Sequence, residues 1–301
     1  EQQQAQIVSA TLGRDALHAG LVAGLVGLIL VSIYMIAFYR VLFTAGLAAG
    51  IKGPGLVKSL RSLSVRDLAF IMGAGFFLAL HFAFWISSLD YTSVSSSVLF
   101  TNLQVIFVLI LSILVLKEKP GIQGLLGIIV ALAGSFLIAR GDLQLGRLLG
   151  DMLALASGLF VAVYFLVGRS VRSRVDTMTY TLLVSGTAAL VLLFTCLVSG
   201  QPLSGFPRLD WLLFLLMAVG PGLAGHGILN WALKYVKAPL VAVSILGESV
   251  GASILAWIIF QEALLWYQWA GGLLILVGIY VAAANESRAV DINRVSGAVN
   301  P

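Results

Sequence analysis

Leu68 to Lys119 holds two apolar stretches of membrane-spanning length that meet at Asp90-Tyr91-Thr92 and close on Lys117-Glu118-Lys119. A spanning helix takes about 20 predominantly apolar residues, so this stretch alone reads as a helical hairpin in a bilayer. His81, Trp85, Ser97, Thr101, Asn102 and Gln104 interrupt its Leu, Phe and Val. Such groups are costly in hydrocarbon and tend to face a cavity or another helix. The pattern predicts a membrane protein with a wet interior. The rest of the chain agrees, with 60% hydrophobic and 10% charged residues, against roughly 45–50% and about 25% in soluble domains.

The spacing of apolar runs predicts ten spanning helices, at 16–30, 32–50, 68–89, 93–116, 121–139, 148–168, 178–199, 209–233, 238–260 and 268–284. The first two are crowded, because Ala16 to Gly50 is too long for one helix and short for two plus a loop. Gly20, Gly24 and Gly27 on one, and Gly46 and Gly50 on the other, permit close helix contact. Residues 1–140 form a first five-helix unit, 141–285 a second, and 286–301 a polar tail. Gln2 to Arg14 lacks the pattern of a signal peptide. With the start inside, 14 of the 18 basic residues fall in inner segments and four, Arg40, Arg140, Arg147 and Arg208, on the outer side. The positive-inside bias then puts both termini in the cytoplasm, in a multi-pass protein of the cell membrane. Trp211, Trp266, Tyr267 and Trp269 fall near helix ends, where aromatic anchors belong.

Several functions are argued against. The net charge of +5 lies in short loops between hydrophobic spans, so it sets topology and does not suggest nucleic acid. Cys196 is the single cysteine, which rules out an intrachain disulfide. Gly220-Pro-Gly-Leu-Ala-Gly225 matches a dinucleotide fingerprint but lies inside a spanning segment with no strand before it, and a broken or kinked helix is the better reading. The glycines of 50–59 lack a lysine next to Gly55, so no ATP site is indicated. His18, His81 and His226 make no dense ligand cluster, and neither metal nor cofactor is expected.

The two units are related. An offset of 144 residues pairs Tyr91 with Tyr235, Gln104 with Glu248 and Glu118 with Glu262, while His81 and Trp85 match His226 and Trp231 within one or two residues. A unit of five helices is odd, so its second copy enters the membrane in the opposite sense. The expected architecture is an all-α polytopic membrane protein with two inverted five-helix repeats. The hairpin HFAFWISSLDYTSVSSSVLF followed by LKEK, the segment AFYRVLF, and HGILNWALKYVKAPLVAVSILGESVGASILAWIIFQE resemble the drug/metabolite transporter superfamily, in its EamA-type branch of bacterial exporters. The resemblance covers Ala37 to Ala284. It implies ten helices in inverted halves, cytoplasmic termini, and export of amino acids or other small metabolites through a central cavity. The family usually carries a longer first helix and loop before the AFYR segment than this chain does.

Candidate site residues follow from helical stripes. Phe77, His81 and Trp85 are spaced i, i+4, i+8; Ser97, Thr101 and Gln104, then His226 and Asn230, then Ser244 and Glu248, share faces in the same way. Converged, they would line a pocket for a small amphipathic molecule; individually, each could instead satisfy polar groups between packed helices. Glu248 reads as the one carboxylate deep in a span, a candidate for a substrate ammonium group or a coupling proton. Arg40 is expected near the outer mouth as a packing or gating charge. The functional expectation is a secondary transporter exporting small metabolites by alternating access, a non-enzyme acting on a small-molecule substrate in the bilayer as monomer or homodimer. The alternatives are an integral membrane enzyme acting on a lipid, and a non-transporting receptor or scaffold.

Overall fold

The computed structural model describes residues 35, 37–140, 147–198, 203–260 and 265–299. The expected first helix at 16–30, most of the 140–147 linker and Glu262 lie outside them. Helix α1 covers 37–52. It is followed by α2 (Gly55–Arg61), α3 (Val65–Ser88), α4 (Val94–Asn102), α5 (Gln104–Leu111) with a π-helical end at Ser112–Leu116, α6 (Ile122–Ala139) and α7 (Leu148–Val171). Then come α8 (Thr177–Val198), α9 (Arg208–Met217), a π-helical stretch Ala218–His226, α10 (Gly227–Ala232), α11 (Ala238–Ile245), α12 (Gly247–Phe260) and α13 (Trp266–Val299). Eight stretches of the described residues are long and apolar enough to cross a bilayer, the three interrupted pairs α4–α5, α9–α10 and α11–α12 counting as one each. The chain is a multi-pass, all-helical membrane protein.

Helix ends follow local chemistry. Ser64 caps α3 by accepting the Asp67 N–H, and Ser93 caps α4 by accepting the Ser96 N–H at 3.2 Å. Pro221 inside Ala218–His226 has no N–H to give, and the widened π-helical turn answers the kink expected there. Two expected continuous helices are broken instead. At Leu103, i→i+3 bonds from Leu103 N–H to Phe100 (3.2 Å) and from Ile106 N–H to Leu103 (2.9 Å) tighten the chain; at Leu246, Leu246 N–H to Val243 (3.1 Å) and Ser249 N–H to Leu246 (3.2 Å) do the same. The last helix also runs past the expected end at Ala284 to Val299, through most of the polar tail.

These matched breaks are 143 residues apart, and the turns before them match at 144. Tyr91 and Thr92 donate their N–H groups to the Ser88 carbonyl, as Tyr235 and Val236 donate to that of Ala232. The helix contacts repeat in the same register. A Cβ on Gly127 would meet the Gly278 carbonyl oxygen at 2.5 Å, and one on Gly134 the Gly271 carbonyl oxygen at 2.5 Å. Numbers rise along α6 as they fall along α13, so the two helices pack antiparallel with backbones in contact. Since 127 + 144 = 271 and 134 + 144 = 278, each glycine faces the counterpart of the other. Close backbone approaches also join the two halves where Gly75 of α3 abuts Thr187 of α8 and Gly222 abuts Thr44 of α1.

Three ion pairs tie residues before 140 to residues after 147, and all lie at one end of the bundle. Lys52 meets Asp176 at 3.0 Å, Arg174 meets Asp67 at 2.6 Å, and Arg169 meets Glu118 at 2.8 Å. Lys117 takes a left-handed conformation (φ 57°) that ends the π-helical turn just before Glu118. Arg169 also donates to the carbonyls of Leu233 (2.9 Å) and Lys234 (3.2 Å). Beneath this layer the buried Arg172 donates to the carbonyls of Asn230 (2.7 Å) and Val175 and to the Thr177 hydroxyl, with its guanidinium over the Tyr180 ring. Replacing Arg172 with leucine leaves buried carbonyls without donors, so a loss of about 1–3 kcal/mol is expected in detergent unfolding experiments.

Burial raises the Asp176 carboxyl, but the Thr179 hydroxyl and N–H and the Lys52 ammonium outweigh it and hold the group below its ordinary value. A depressed carboxyl stabilises the fold above its unfolded value and loses that contribution as pH falls through its folded value. The difference in melting temperature between the protein and Asp176→Asn is therefore expected to be constant from about pH 7 to pH 5. It should shrink only below about pH 3.9, the unperturbed aspartate value.

Candidate functional site

Inside the bundle, Arg40, Thr44, Phe82, Tyr164, Ser185, His226 and Asn230 line one narrow cavity with room for about one water molecule in this conformation, together with Val41, Leu78, Val184 and Gly222. Five helical stretches supply it. Helix α1 is seated by an aromatic cluster in which Tyr39 stacks on Phe214 (5.0 Å between centroids) and donates its hydroxyl to the Leu203 carbonyl (2.6 Å). One residue further on, the Arg40 guanidinium lies 4.8 Å from the centre of the Phe82 ring. Phe82 in turn stands edge-on to His226 at 6.0 Å, and Tyr164 lies 6.1 Å from the same imidazole. The Tyr164 hydroxyl donates to Asn230 Oδ1 at 2.5 Å, while Asn230 Nδ2 reaches Thr181 at 3.5 Å.

Two nitrogens in this cavity have no partner. Arg40 Nε and His226 Nδ1 are both buried without a hydrogen bond. Arg40 is within electrostatic reach of His81, His226 and Glu248. It nevertheless belongs to none of the three ion pairs among the described residues.

The expected site residues divide. Arg40, His226 and Asn230 line the cavity, so Arg40 is an interior residue. His81 sits beside Phe82 (5.1 Å between rings), with Nδ1 against the Ser157 hydroxyl at 2.8 Å. Phe77 and Trp85 pack on the core, Phe77 against Phe160 at 6.1 Å. Ser97 pairs with Ser88 at 2.6 Å, and Thr101 donates to the Ala154 carbonyl at 3.3 Å. Gln104 is buried with Oε1 unpartnered. None of these three lines the cavity. Ser244 and Glu248 are both exposed, and Ser244 bonds back to the Leu240 carbonyl at 2.8 Å.

Sequence reasoning passed over Phe82, Tyr164 and Asp151. Asp151 is a buried carboxylate, accepting the Thr92 hydroxyl at 2.8 Å in the first turn of α7, where the helix dipole favours an acid. No spacing pattern marked Tyr164, because its partner Asn230 is 66 residues away.

A helical bundle with eight stretches able to cross a bilayer and a polar, cation-bearing cavity defines a multi-pass membrane protein. The model of the EamA-like transporter family matches twice, over residues 18–140 and 148–284, and the chain belongs to that family. An uncharacterized transporter of Archaeoglobus fulgidus is 26% identical over 212 residues, 70% of this chain and 75% of that protein. One of Synechocystis is 28% identical over 201 residues, 64% of this chain and 60% of that protein. A crystal structure with 18% identity superposes with a TM-score of 0.69 over 90% of this chain and 99% of its own, a likeness of fold. A 42-residue stretch, 14% of this chain, is 55% identical to part of the protein translocase subunit SecD of Mycobacterium tuberculosis, 7% of that protein.

Proposed function

We propose that the chain is a secondary transporter that exports small metabolites, amino acids or similar amphipathic compounds, across the cell membrane by alternating access of the central cavity. The observation that carries this reading is the contact between Phe82 and His226 inside the cavity, since Phe82 adjoins His81, the residue matched to His226. A contact one residue from a matched pair lies close to the axis relating the repeats. A site on that axis can be offered to either side when two half-structures exchange conformations.

Two inverted five-helix repeats, 1–140 and 141–285, give the motion its basis. The antiparallel glycine pairing of α6 with α13 supports that arrangement. Such self-complementary contacts are what a two-fold relation requires. The ion pairs Lys52–Asp176, Asp67–Arg174 and Glu118–Arg169 act as a latch on the basic face, which the positive-inside bias makes cytoplasmic, along with both termini. At the other edge of the site, the exposed Glu248 offers a carboxylate for a substrate ammonium group or a coupling proton. His81, held by Ser157, orients the wall beside Phe82. The protein acts as a monomer or homodimer and needs no ATP.

Counterflow in proteoliposomes tests the reading. A metabolite panel including amino acids should yield at least one compound whose uptake is accelerated by the same compound inside. Glu248→Gln and His81→Ala are each expected to lower that flux at least tenfold. No flux for any compound, with folded and inserted protein verified, would count against the transporter.

A further inference from the structure

Among the described residues the cavity is lined by one cation and no carboxylate. Arg40 keeps its proton at any physiological pH. Its Nε is buried without an acceptor, and its aromatic neighbour Phe82 offers only a ring face. His226, across that ring, has its Nδ1 buried and unpartnered as well. Glu248, the carboxylate that acts on Arg40 electrostatically, is exposed and forms no ion pair with it. A cation inside a membrane protein is strongly disfavoured unless an anion or hydrogen-bond acceptors meet it.

We infer that the cavity is a binding site for the carboxylate of a small organic monoanion, with Arg40 as its counter-ion and His226 as a second donor. This rests on the transporter reading of the same site and supplies the chemical class of its ligand. A planar guanidinium matches a carboxylate in shape and can bond it through two parallel N–H groups. The side-chain amide of Asn230, oriented by Tyr164, offers a further donor on the same wall. In a conformation that widens the cavity, the ligand's apolar body would lie against Phe82, Leu78 and Val184. A dianionic phosphate fits less well, since one guanidinium balances one charge and Glu248 stands within electrostatic reach of that guanidinium.

Benzoate, benzamide, benzylamine and phenyl phosphate share a ring and differ in charge, so they test the assignment on the purified full-length protein by isothermal titration. Benzoate is expected to bind, with benzamide, benzylamine and phenyl phosphate each at least tenfold weaker. Arg40→Gln should weaken benzoate at least tenfold, Arg40→Lys should recover part of that loss, and His226→Gln should weaken it several-fold. The comparison of benzoate with benzamide needs no variant, so it stands even where a substitution impairs folding. Preference for benzylamine, benzamide or phenyl phosphate, benzoate affinity indifferent to Arg40→Gln, or no binding of any of the four would overturn the inference. Flux of amines that is insensitive to Arg40 would overturn it while leaving the transporter reading intact. Benzoate binding without flux of any compound would do the reverse.

Discussion

Gly278→Leu is expected to leave little folded protein. A Cβ at residue 278 would stand 2.5 Å from the Gly127 carbonyl oxygen and 2.6 Å from the Ala131 nitrogen. Both are backbone atoms, so no side chain can swing aside and the helices must separate. Without water in the hydrocarbon core, helix association depends largely on this kind of close packing. Gly278→Ala is expected to cost about 1–3 kcal/mol, the usual range for overpacking a well-filled core. Gly134→Leu should match Gly278→Leu in severity, because Gly134 meets Gly271 in the same way. Detergent unfolding curves and the yield of monodisperse protein check the series. By contrast Gly186, with open space around its Cβ position, should accept alanine without loss.

Arg169→Gln is expected to release the basic face of the bundle. Arg169 bonds Glu118 through Nε and a second guanidinium nitrogen, both at 2.8 Å, and holds the Leu233 and Lys234 carbonyls with the remainder. Hydrogen bonds to charged groups are worth about 1.5–3 kcal/mol each, and every 1.4 kcal/mol is tenfold in a population. Roughly a tenfold gain in the separated conformation is therefore expected for Arg169→Gln, and a smaller gain for Glu118→Gln, which leaves both carbonyl contacts in place. Spin labels at Lys119→Cys and Lys234→Cys, in a Cys196→Ala background, report the separation as a shift to longer distances. The Arg174–Asp67 pair is more exposed and should contribute less, as surface pairs do.

The helical class and most helix positions were legible because a bilayer demands long apolar segments, and those show in composition alone. A correspondence between the halves was legible at Tyr91 and Tyr235, which occupy matched turns. The breaks at Leu103 and Leu246 were not, since leucine favours helices and the tightening comes from tertiary packing against α7 and its surroundings. The cavity was half legible. His226 and Asn230 share a stripe and both line it, but an equally regular stripe of Ser97, Thr101 and Gln104 turned to neighbouring helices. Periodicity finds a face without saying what covers it. Phe82 and Tyr164 gave no signal because aromatic residues in apolar helices are ordinary, and only the fold brings Arg40 and Asn230 to them. Glu248 falls near the middle of the span Ala238–Leu255 that hydropathy marks, and its side chain is exposed.

Alternating access of the cavity is the centre of this account, and thiol accessibility at Ser185 tests it most directly. Ser185 lines the cavity, and Ser185→Cys in a Cys196→Ala background places one thiol there. In oriented proteoliposomes, a membrane-impermeant maleimide is expected to reach that thiol from both faces. Joining residues 118 and 169 by a bis-maleimide, through Glu118→Cys and Arg169→Cys, should abolish labelling from the basic face and preserve it from the other. Labelling from one face only in the unlinked protein, or unchanged labelling from the basic face after linking, would contradict the account.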